Sequence, residues 1–432
     1  MERIMKSSIS TAELLSVYKA KNTVILDCRP SAAYNGWALQ GEVHGGHVPG
    51  ARSFPLAWFT DLGNEAALLL LNDMGIESDA QIIVTGYSTR EINNTANQLR
   101  ALDFTSVRTH DEGMMDWFAD PDRPCQFLPR YRHLIHAGWL RMLLEGKNPE
   151  PQYIKRTVIG HVNFDNWGDY DLGHIPGSIW LDTLILEDDM TWNHRTPKKL
   201  EKELCEHGIT KETTVILYGR TSDPDMSQEH PGKQAGQLAS MRAALLLMYA
   251  GVEDVRVLDG GLDAWTKAGG QVTREETLPT KVNKTGLDIP EHPELIVDTP
   301  KAKEMLAAPD AELVSMRSWA EFIGEVSGYH YIEKKGRIPG AIFGNCGSDA
   351  YHMENYRNHD DTLRSFHDIE AEWKRNGITS DKHIAFYCGT GWRASESFFA
   401  AWLMGWKRVS IYDGGWYEWS SDPENPIETG TP

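Results

Sequence analysis

Apolar runs of strand length alternate with segments of helical periodicity along the chain. Residues 11–20 and 393–405 place apolar side chains at helical spacing, and a short apolar run follows each segment, at residues 23–29 and 408–415. This alternation predicts an α/β fold in which a parallel sheet carries helices on both faces. In such sheets ligands bind at the carboxyl ends of the strands, where a strand leads into a helix.

Two motifs recur three times in the same order. A turn reads GHVPGA at residues 46–51, GHIPGS at 173–178 and GRIPGA at 336–341. An apolar run follows each turn, and farther on each unit reads DEGMMDW, DGGLDAW or DGGWYEW. An aspartate and a tryptophan keep the same spacing in these motifs: Asp111 and Trp117, Asp259 and Trp265, Asp413 and Trp419.

This shared order and spacing indicates an internal repeat. We therefore predict three homologous domains, at residues 1–127, 128–283 and 284–432. The length of the chain agrees with this division, because 432 residues exceed what one hydrophobic core usually supports.

The charge of the chain excludes some classes of partner. Its 43 basic and 62 acidic side chains give a net charge of −19, and no basic stretch stands out. A protein that follows the phosphates of a nucleic acid, or binds an anionic membrane, needs the opposite balance. Neither a nucleic acid nor a membrane is therefore expected as a partner.

Cysteine use and the first residues bear on the compartment. The five cysteines are an odd number and show neither a disulfide framework nor zinc-ribbon spacing. The first residues lack the charged head and apolar core of a signal peptide. These features favour the reducing cytoplasm, although a mature periplasmic protein would look the same after its signal peptide had been removed.

The candidate chemistry lies in the loop Cys-Gly-Thr-Gly-Trp-Arg at residues 388–393. Gly389 and Gly391 allow the backbone around Thr390 to turn its N–H groups inward and form a concave anion site. The following helix adds free N–H groups and the positive end of its dipole. Arg393 adds a fixed positive charge. All three effects favour a thiolate over a thiol, so Cys388 is predicted to be a nucleophile rather than a buried structural cysteine.

With the preceding strand, the GRIPGA turn and the following DGGWYEW motif, this loop resembles that of the rhodanese sulfurtransferases. Three such units with a single cysteine loop are similar to bacterial members with three rhodanese domains. The resemblance implies a ping-pong reaction without a metal or cofactor, in which Cys388 takes a sulfane sulfur and holds it as a persulfide. It implies a donor such as thiosulfate or 3-mercaptopyruvate. The implied acceptors are cyanide, thiols, thioredoxin-like proteins or another protein partner.

The other two domains carry glycine where the third carries its nucleophile. Gly86 stands as far before Asp111 as Cys388 stands before Asp413, and Gly219 follows the corresponding apolar run of the middle domain. The middle domain also carries an insertion after Gly219. Neither domain has a thiol at this place, so both are interpreted as degenerate copies that serve as scaffold, cleft wall or docking surface.

Two other readings of the loop stay open. A cysteine-dependent phosphatase or arsenate reductase also pairs a cysteine with an arginine, but its pattern has five residues between them, and here there are four. A sulfur-relay protein would instead receive its persulfide from another protein, such as a cysteine desulfurase. Turnover of a small donor without a partner would distinguish an enzyme from such a relay.

Several residues outside the nucleophile are candidates for the site wall. Trp392 is predicted to line the site. Arg317 matches Arg29 in position, but Ser315 replaces the acid two positions before it, so Arg317 is interpreted as either a stabilising residue or a substrate ligand. The polar and aromatic segment at residues 324–340 is either a cleft wall or a solvated loop.

The remaining cysteines and a histidine pair give weaker signals. Cys28 is predicted to lie in the core, and Cys346 is either a resolving thiol or a residue without a chemical role. His44 and His47 have a spacing that would suit a metal, but His47 belongs to the repeated turn, where Arg337 replaces it in the third domain. No metal site is therefore expected.

We predict that Cys388 alone carries the transferred sulfur. Incubation with thiosulfate or 3-mercaptopyruvate should add one labile sulfur to the peptide that contains Cys388, as measured by mass spectrometry. The Cys388→Ser variant should lose both the added sulfur and the activity. Full activity in that variant would contradict the assignment.

Overall fold

The computed structural model describes residues 7–154, 156–220 and 236–432. The predicted insertion after Gly219 falls on residues 221–235, outside the described residues. The chain divides into two compact units, one up to Tyr131 and one from Arg132 onward. The domain limits near residues 127 and 283 stay predictions.

The first unit contains a five-stranded parallel sheet with strand order β1-β5-β4-β2-β3. Its strands are β1 (Ser8–Ile9), β2 (Thr23–Asp27), β3 (Arg52–Ser53), β4 (Gln81–Thr85) and β5 (Val107–His110). Its helices are α1 (Thr11–Val17), α2 (Ser31–Asn35), α3 (Leu56–Asp73), α4 (Thr89–Ala101) and α5 (Gly113–Ala119). Capping boxes define the starts of α1 and α4, where the Ser10 and Ser88 side chains accept from the third helical N–H groups.

The second unit begins with the middle domain, whose sheet has the order β6-β10-β9-β7-β8. Its strands are β6 (Leu134–Ile135), β7 (Arg156–Asn163), β8 (Ile179–Asp182), β9 (Thr213–Tyr218) and β10 (Asp254–Leu258). Its helices are α6 (Ala137–Leu144), α7 (Trp167–Leu172), α8 (Pro197–Glu206), α9 (Gly236–Ala250) and α10 (Gly261–Lys267). Every residue of β9 is buried, as expected for a central parallel strand covered on both faces.

The last domain repeats this topology with the order β11-β15-β14-β12-β13. Its strands are β11 (Ile296–Val297), β12 (Ala311–Ser315), β13 (Ile342–Phe343), β14 (His383–Tyr387) and β15 (Val409–Tyr412). Its helices are α11 (Thr299–Ala307), α12 (Trp319–Phe322), α13 (Phe366–Arg375), α14 (Trp392–Leu403) and α15 (Gly415–Ser421). Short 3₁₀ turns lie at Tyr131–His133, Thr183–Ile185, Pro293–Leu295 and Glu354–Tyr356.

Within the described ranges, the strands thus form three parallel five-stranded sheets of identical order, which confirms the predicted α/β fold. No helix among these residues is long and apolar enough to cross a membrane.

Two helices of the second unit differ from ordinary surface helices. All fifteen residues of α9 are buried, and ten of the twelve residues of α14 are buried. The two helices pack against each other. A helix that is apolar on only one side leaves its polar side in solvent. The largely apolar composition of α9 therefore reflects contact with the last domain on one side and with its own sheet on the other.

Candidate active site

The predicted nucleophile loop lies between β14 and α14. Cys388 directly follows the strand and is buried, and Gly391 caps the helix. The backbone of Gly391 has φ +89°, a left-handed conformation that a side chain would disfavour. The loop is therefore at the carboxyl end of a central strand and at the start of a helix, as the sequence predicts.

The DGGWYEW motif holds this loop by its backbone. The N–H of Trp416 donates to the carbonyl oxygen of Cys388 (2.8 Å), and the N–H of Tyr417 donates to that of Gly389 (3.0 Å). The other two domains repeat the first contact: the Met114 N–H donates to the Gly86 carbonyl (2.8 Å), and the Leu262 N–H to the Gly219 carbonyl (2.9 Å). The repeated motif is thus an anchor for the loop in all three domains.

The tryptophans at the ends of these motifs are buried in equivalent places. Each indole N–H donates to a backbone carbonyl shortly downstream, from Trp117 to Pro124 (3.1 Å), Trp265 to Gln271 (2.8 Å) and Trp419 to Pro426 (2.9 Å). These bonds satisfy the only polar atom of a large buried side chain. The conserved spacing of aspartate and tryptophan therefore has a structural cause.

Gly86 and Gly219, which stand where the last domain has Cys388, have no room for a side chain. A Cβ atom on Gly86 would lie 2.5 Å from the sulfur of Cys28. A Cβ atom on Gly219 would lie 2.2 Å from the backbone oxygen of Gly236. In the first domain a core side chain fills the space of the nucleophile, and in the middle domain the backbone fills it.

Arg393 is buried and binds several groups of the last domain. Its guanidinium forms two hydrogen bonds of 2.9 Å to the carboxylate of Glu321. It also donates to the Tyr329 hydroxyl (2.8 Å), the Asp349 carbonyl oxygen (2.9 Å) and the sulfur of Cys346 (3.1 Å). The bidentate geometry fixes the plane of the guanidinium and makes Arg393 the link between the loop and the surrounding wall.

Arg317 shares the same carboxylate. Its Nε donates to Glu321 (3.2 Å), and its other nitrogens donate to the carbonyl oxygens of Gly336 (2.6 Å) and Ser327 (3.1 Å). In the first domain the equivalent Arg29 instead pairs with Asp27, two positions before it (2.6 Å). The acid that Ser315 lacks is thus supplied by Glu321, from the first turn of α12.

Burial alone would raise the pKa of Glu321. The guanidinium groups of Arg393 and Arg317 outweigh it and lower the pKa to about 2. Burial raises the pKa of the neighbouring Cys346 thiol to about 12, although Arg393 opposes the effect. Cys346 is therefore a protonated thiol at neutral pH.

Aromatic side chains form the wall beside the loop. The ring of Tyr329 lies against Gly389, where a Cβ atom would come within 2.3 Å of it. The Tyr331 side chain lies near that of Thr390. Both tyrosines belong to the segment at residues 324–340, which the sequence left open between cleft wall and solvated loop. In the structure these two tyrosines lie beside the loop, while Glu333, Lys334 and Lys335 of the same segment are exposed.

A larger set of rings continues this wall, and we call it the aromatic cluster: Trp192, Tyr329, Tyr331, Tyr351 and Tyr417. Ring centroids of neighbouring members lie 4.6 to 6.3 Å apart. Trp192 comes from the middle domain and stacks on Tyr331. All members except Tyr329 are partly exposed.

Trp392 also contacts the middle domain. Its indole N–H donates to the carboxylate of Glu187 (3.1 Å), and its ring packs edge-on against Phe164 (5.8 Å). The site of the last domain is therefore built with side chains from the middle one. Sequence reasoning missed Glu187, Trp192 and Glu321, and it included Tyr329 only as part of the segment at residues 324–340. For Glu321 a signal was present, because Ser318 and Glu321 have the spacing of a capping box.

The middle domain, which has Gly219 at the nucleophile position, allows a test of this geometry. Introducing Gly219→Cys into the Cys388→Ser variant should give no sulfur transfer above background, because the new Cβ atom meets the Gly236 carbonyl. Persulfide formation is measured by mass spectrometry. Gly219→Cys with Cys388 intact is the control for folding. Substantial transfer by the double variant would show that the middle domain retains a competent site.

The ion pair between Arg393 and Glu321 should make the free energy of unfolding depend on pH. The pKa of Glu321 is lowered from its ordinary value of 4.5, so the ionised carboxylate stabilises the fold at pH values above 4.5. This contribution disappears as the pH falls toward 2. Arg393→Gln removes the main partner of a buried carboxylate and should cost about 3 kcal/mol near pH 7. Protonation of Glu321 relieves this penalty, so the deficit should shrink as the pH falls toward 4.

Urea unfolding of both proteins at pH 7 and pH 4 measures the two deficits. Arg408→Gln is the matched control, since Arg408 pairs with Asp310 on the surface (2.8 Å), where solvent screens the pair and its loss should change the free energy of unfolding little at either pH. Equal deficits for Arg393→Gln at both pH values would contradict this account.

Comparison with known proteins supports the same architecture. The family model described as rhodanese-like domain matches residues 10–120, 154–268 and 298–422. A curated relative, the thiosulfate sulfurtransferase YnjE of Escherichia coli K12, is 39% identical over 96% of this chain and 91% of its own length.

Solved structures agree over nearly the whole chain. The anaerobic ergothioneine biosynthesis enzyme of Chlorobium limicola, solved with its natural substrate trimethyl histidine, is 48% identical, with a TM-score of 0.95 over 98% of this chain and 99% of that one. A tyrosine-to-phenylalanine variant of EanB, solved as a cysteine persulfide in a tetrahedral intermediate state with ergothioneine, is also 48% identical, with a TM-score of 0.95 over 98% of this chain and 100% of that one. The three repeats, their common topology and these matches show that the chain belongs to the rhodanese family of sulfurtransferases.

Proposed function

We propose that this sulfurtransferase passes the sulfane sulfur of a Cys388 persulfide to the imidazole ring of a trimethylated histidine and so forms ergothioneine. The observation that carries the proposal is the aromatic cluster beside the loop. Its partly exposed rings suit an acceptor that combines a flat heteroaromatic ring with a quaternary ammonium group, because such a cation binds over aromatic faces.

The charges around the loop suit a cationic acceptor better than they suit a dianion such as thiosulfate. Arg393 and Arg317 both pair with Glu321, and Arg242 of the middle domain pairs with Asp413 and Glu187. Guanidinium groups already held by carboxylates offer little net positive charge to a dianion. A site neutralised in this way, with rings on one side, suits a ligand that carries a positive charge of its own.

The spacing of three residues supports the same acceptor. In EanB, variants of a tyrosine and of a threonine were solved with ergothioneine or hercynine. That tyrosine and that threonine stand at the same distances along the chain from the EanB persulfide cysteine as Tyr329 and Thr390 stand from Cys388. Tyr329 lies against Gly389, and Thr390 lies within the loop.

The proposed transfer balances without an external oxidant. The ring carbon between the two nitrogens forms a bond to the terminal sulfur, the sulfur–sulfur bond breaks, and Cys388 leaves as a thiolate. The carbon gives up its proton, which ends on the departing Cys388 thiolate, and the carbon is oxidised by two electrons while the sulfane sulfur is reduced by two. The inward N–H groups of the loop would hold the anionic sulfur. Tyr329, whose pKa burial raises well above its ordinary value, would remain a protonated phenol beside it.

A second candidate is transfer from thiosulfate to cyanide or a thiol. The 39% identity with a thiosulfate sulfurtransferase over almost the whole chain favours it. The two candidates share the Cys388 persulfide and differ in the acceptor. Thiosulfate, 3-mercaptopyruvate, or a persulfide delivered by a partner such as a cysteine desulfurase would load the same cysteine, and a thioredoxin-like protein is a further possible acceptor.

Trimethylhistidine and histidine, each supplied with polysulfide, thiosulfate or 3-mercaptopyruvate, test the acceptor. We expect the sulfur-containing product of trimethylhistidine, with kcat/KM at least about tenfold above that for histidine, because histidine lacks the quaternary ammonium group. Mass spectrometry measures the products, and Cys388→Ser gives the background. Thiocyanate from thiosulfate and cyanide, without a product from trimethylhistidine, would favour the second candidate.

Two tryptophan substitutions test whether the aromatic cluster binds the quaternary ammonium group. Trp192→Leu should raise KM for trimethylhistidine more than for histidine, since it removes one ring of the aromatic cluster. Trp319→Leu is the matched control, because Trp319 is 43% exposed and packs on Phe322 and Phe343 instead. Equal effects of the two substitutions would argue against the aromatic cluster as the cation site.

A further inference from the structure

A buried cluster of charges joins the middle domain to the last domain behind the nucleophile loop. Arg242 of α9 and Asp413 of the DGGWYEW motif form an ion pair, with Nη1 and Oδ1 2.7 Å apart. Nε of Arg242 donates to Glu187 (3.0 Å), and its Nη2 donates to the Trp192 carbonyl oxygen (2.6 Å). The side chains of Arg242 and Glu187 are fully buried, and that of Asp413 is 4% exposed.

A histidine completes the coordination of Asp413. The backbone N–H of His194 and its ring Nδ1 each lie 2.8 Å from Oδ2 of Asp413. Burial would raise the pKa of Asp413, but Arg242 and His194 lower it to about 2, so the carboxylate is charged at neutral pH. A buried charge of this kind is costly unless it is paired, and both partners come from the middle domain.

This cluster touches the loop at two points. A Cβ atom on Gly391 would lie 2.9 Å from Nη1 of Arg242 and 3.2 Å from Oδ1 of Asp413, so the ion pair lies directly beneath this glycine. Asp413 also begins the segment whose N–H groups hold the carbonyls of Cys388 and Gly389. The backbone position of the loop therefore depends on where Arg242 holds Asp413.

Asp259, the aspartate of the middle domain that corresponds to Asp413, does not form this ion pair. Glu396 stands as far before Asp413 as Arg242 stands before Asp259, so the two residues occupy the same position of the repeat. Glu396 pairs within its own domain, with Arg357 (2.6 Å). The Asp259 carboxylate accepts from the Leu363 backbone N–H (2.7 Å). Reciprocal contacts thus join the two domains. Asp413 forms a close ion pair with a guanidinium of its neighbour, whereas Asp259 accepts a backbone N–H and interacts with Arg357 of the last domain only at longer range.

We propose that Arg242 is a positioning residue for sulfur transfer, supplied by the domain that has lost its own nucleophile. It holds Asp413 and supports Gly391, and so keeps the loop in the conformation that binds the anionic sulfur. The proposal rests on the assignment of Cys388 as the nucleophile.

Arg242→Lys tests it in the full-length protein. Lysine keeps the charge, but one ammonium group cannot contact Asp413, Glu187 and the Trp192 carbonyl in the geometry of the planar guanidinium. We expect kcat for sulfur transfer to fall about a hundredfold, as a misplaced loop would cause, with a smaller change in KM. Single-turnover mass spectrometry should show the same slowing of persulfide formation on Cys388.

Arg256→Lys is the matched control. Arg256 is also a buried arginine of the middle domain, and it pairs with Asp254 (2.8 Å) and Glu150. It should lose similar stability while keeping kcat within about twofold of the unmodified protein, as a change away from the reacting groups would. Equal kcat values for Arg242→Lys and Arg256→Lys would overturn the proposal.

A second variant covers the case in which Arg242→Lys does not fold. The His194 side chain is 29% exposed, so His194→Ala removes one partner of Asp413 at less risk to folding. We expect a loss of kcat of about tenfold, smaller than for Arg242→Lys because the ion pair remains. Full activity would overturn the proposal. Failure of the nucleophile assignment is seen separately, as activity in Cys388→Ser.

Discussion

The hydrogen bond from the Trp416 N–H to the Cys388 carbonyl is the constraint on which the site depends. A loop that turns its N–H groups toward an anion must direct its carbonyls away from it, and those buried carbonyls need donors elsewhere. The DGGWYEW segment supplies two such donors in succession, to Cys388 and Gly389. The first and middle domains, which have no cysteine at this position, retain the first of these bonds at Gly86 and Gly219. This part of the framework is therefore present without a nucleophile.

Carboxylates control the electrostatics around this framework. Glu321 pairs with two arginines on one side, and Asp413 and Glu187 bind Arg242 on the other. Each arginine is fully buried, and an unpaired charge there would be costly. The guanidinium groups therefore act mainly as rigid multidentate links between backbone carbonyls and carboxylates. The partly exposed rings of the aromatic cluster are left as the uncharged surface beside the loop.

The sequence was most informative where a physical requirement recurs at fixed spacing. The turn, the loop and the aspartate–tryptophan motif are each governed by short-range backbone contacts, so repetition along the chain was sufficient to find them. The pairing of Arg317 could not be predicted in the same way, because its carboxylate moved from the position of Ser315 to Glu321. Residues 324–340 lack periodicity, which left Tyr329 unplaced. Arg242 and Trp192 act across a domain interface, and no pattern within one repeat records such a contact.

The complete burial of α9 bears on how such a protein changes over evolutionary time. After a duplication, the copy without a nucleophile is usually expected to accumulate substitutions freely. Here its helix is sandwiched between its own sheet and the α14 helix of the active copy, and most exchanges along it would create a cavity or overpack the neighbouring domain. Substitutions in α9 would therefore disturb the packing of the last domain as well, and the interior of the middle domain is constrained by the shape of its surroundings.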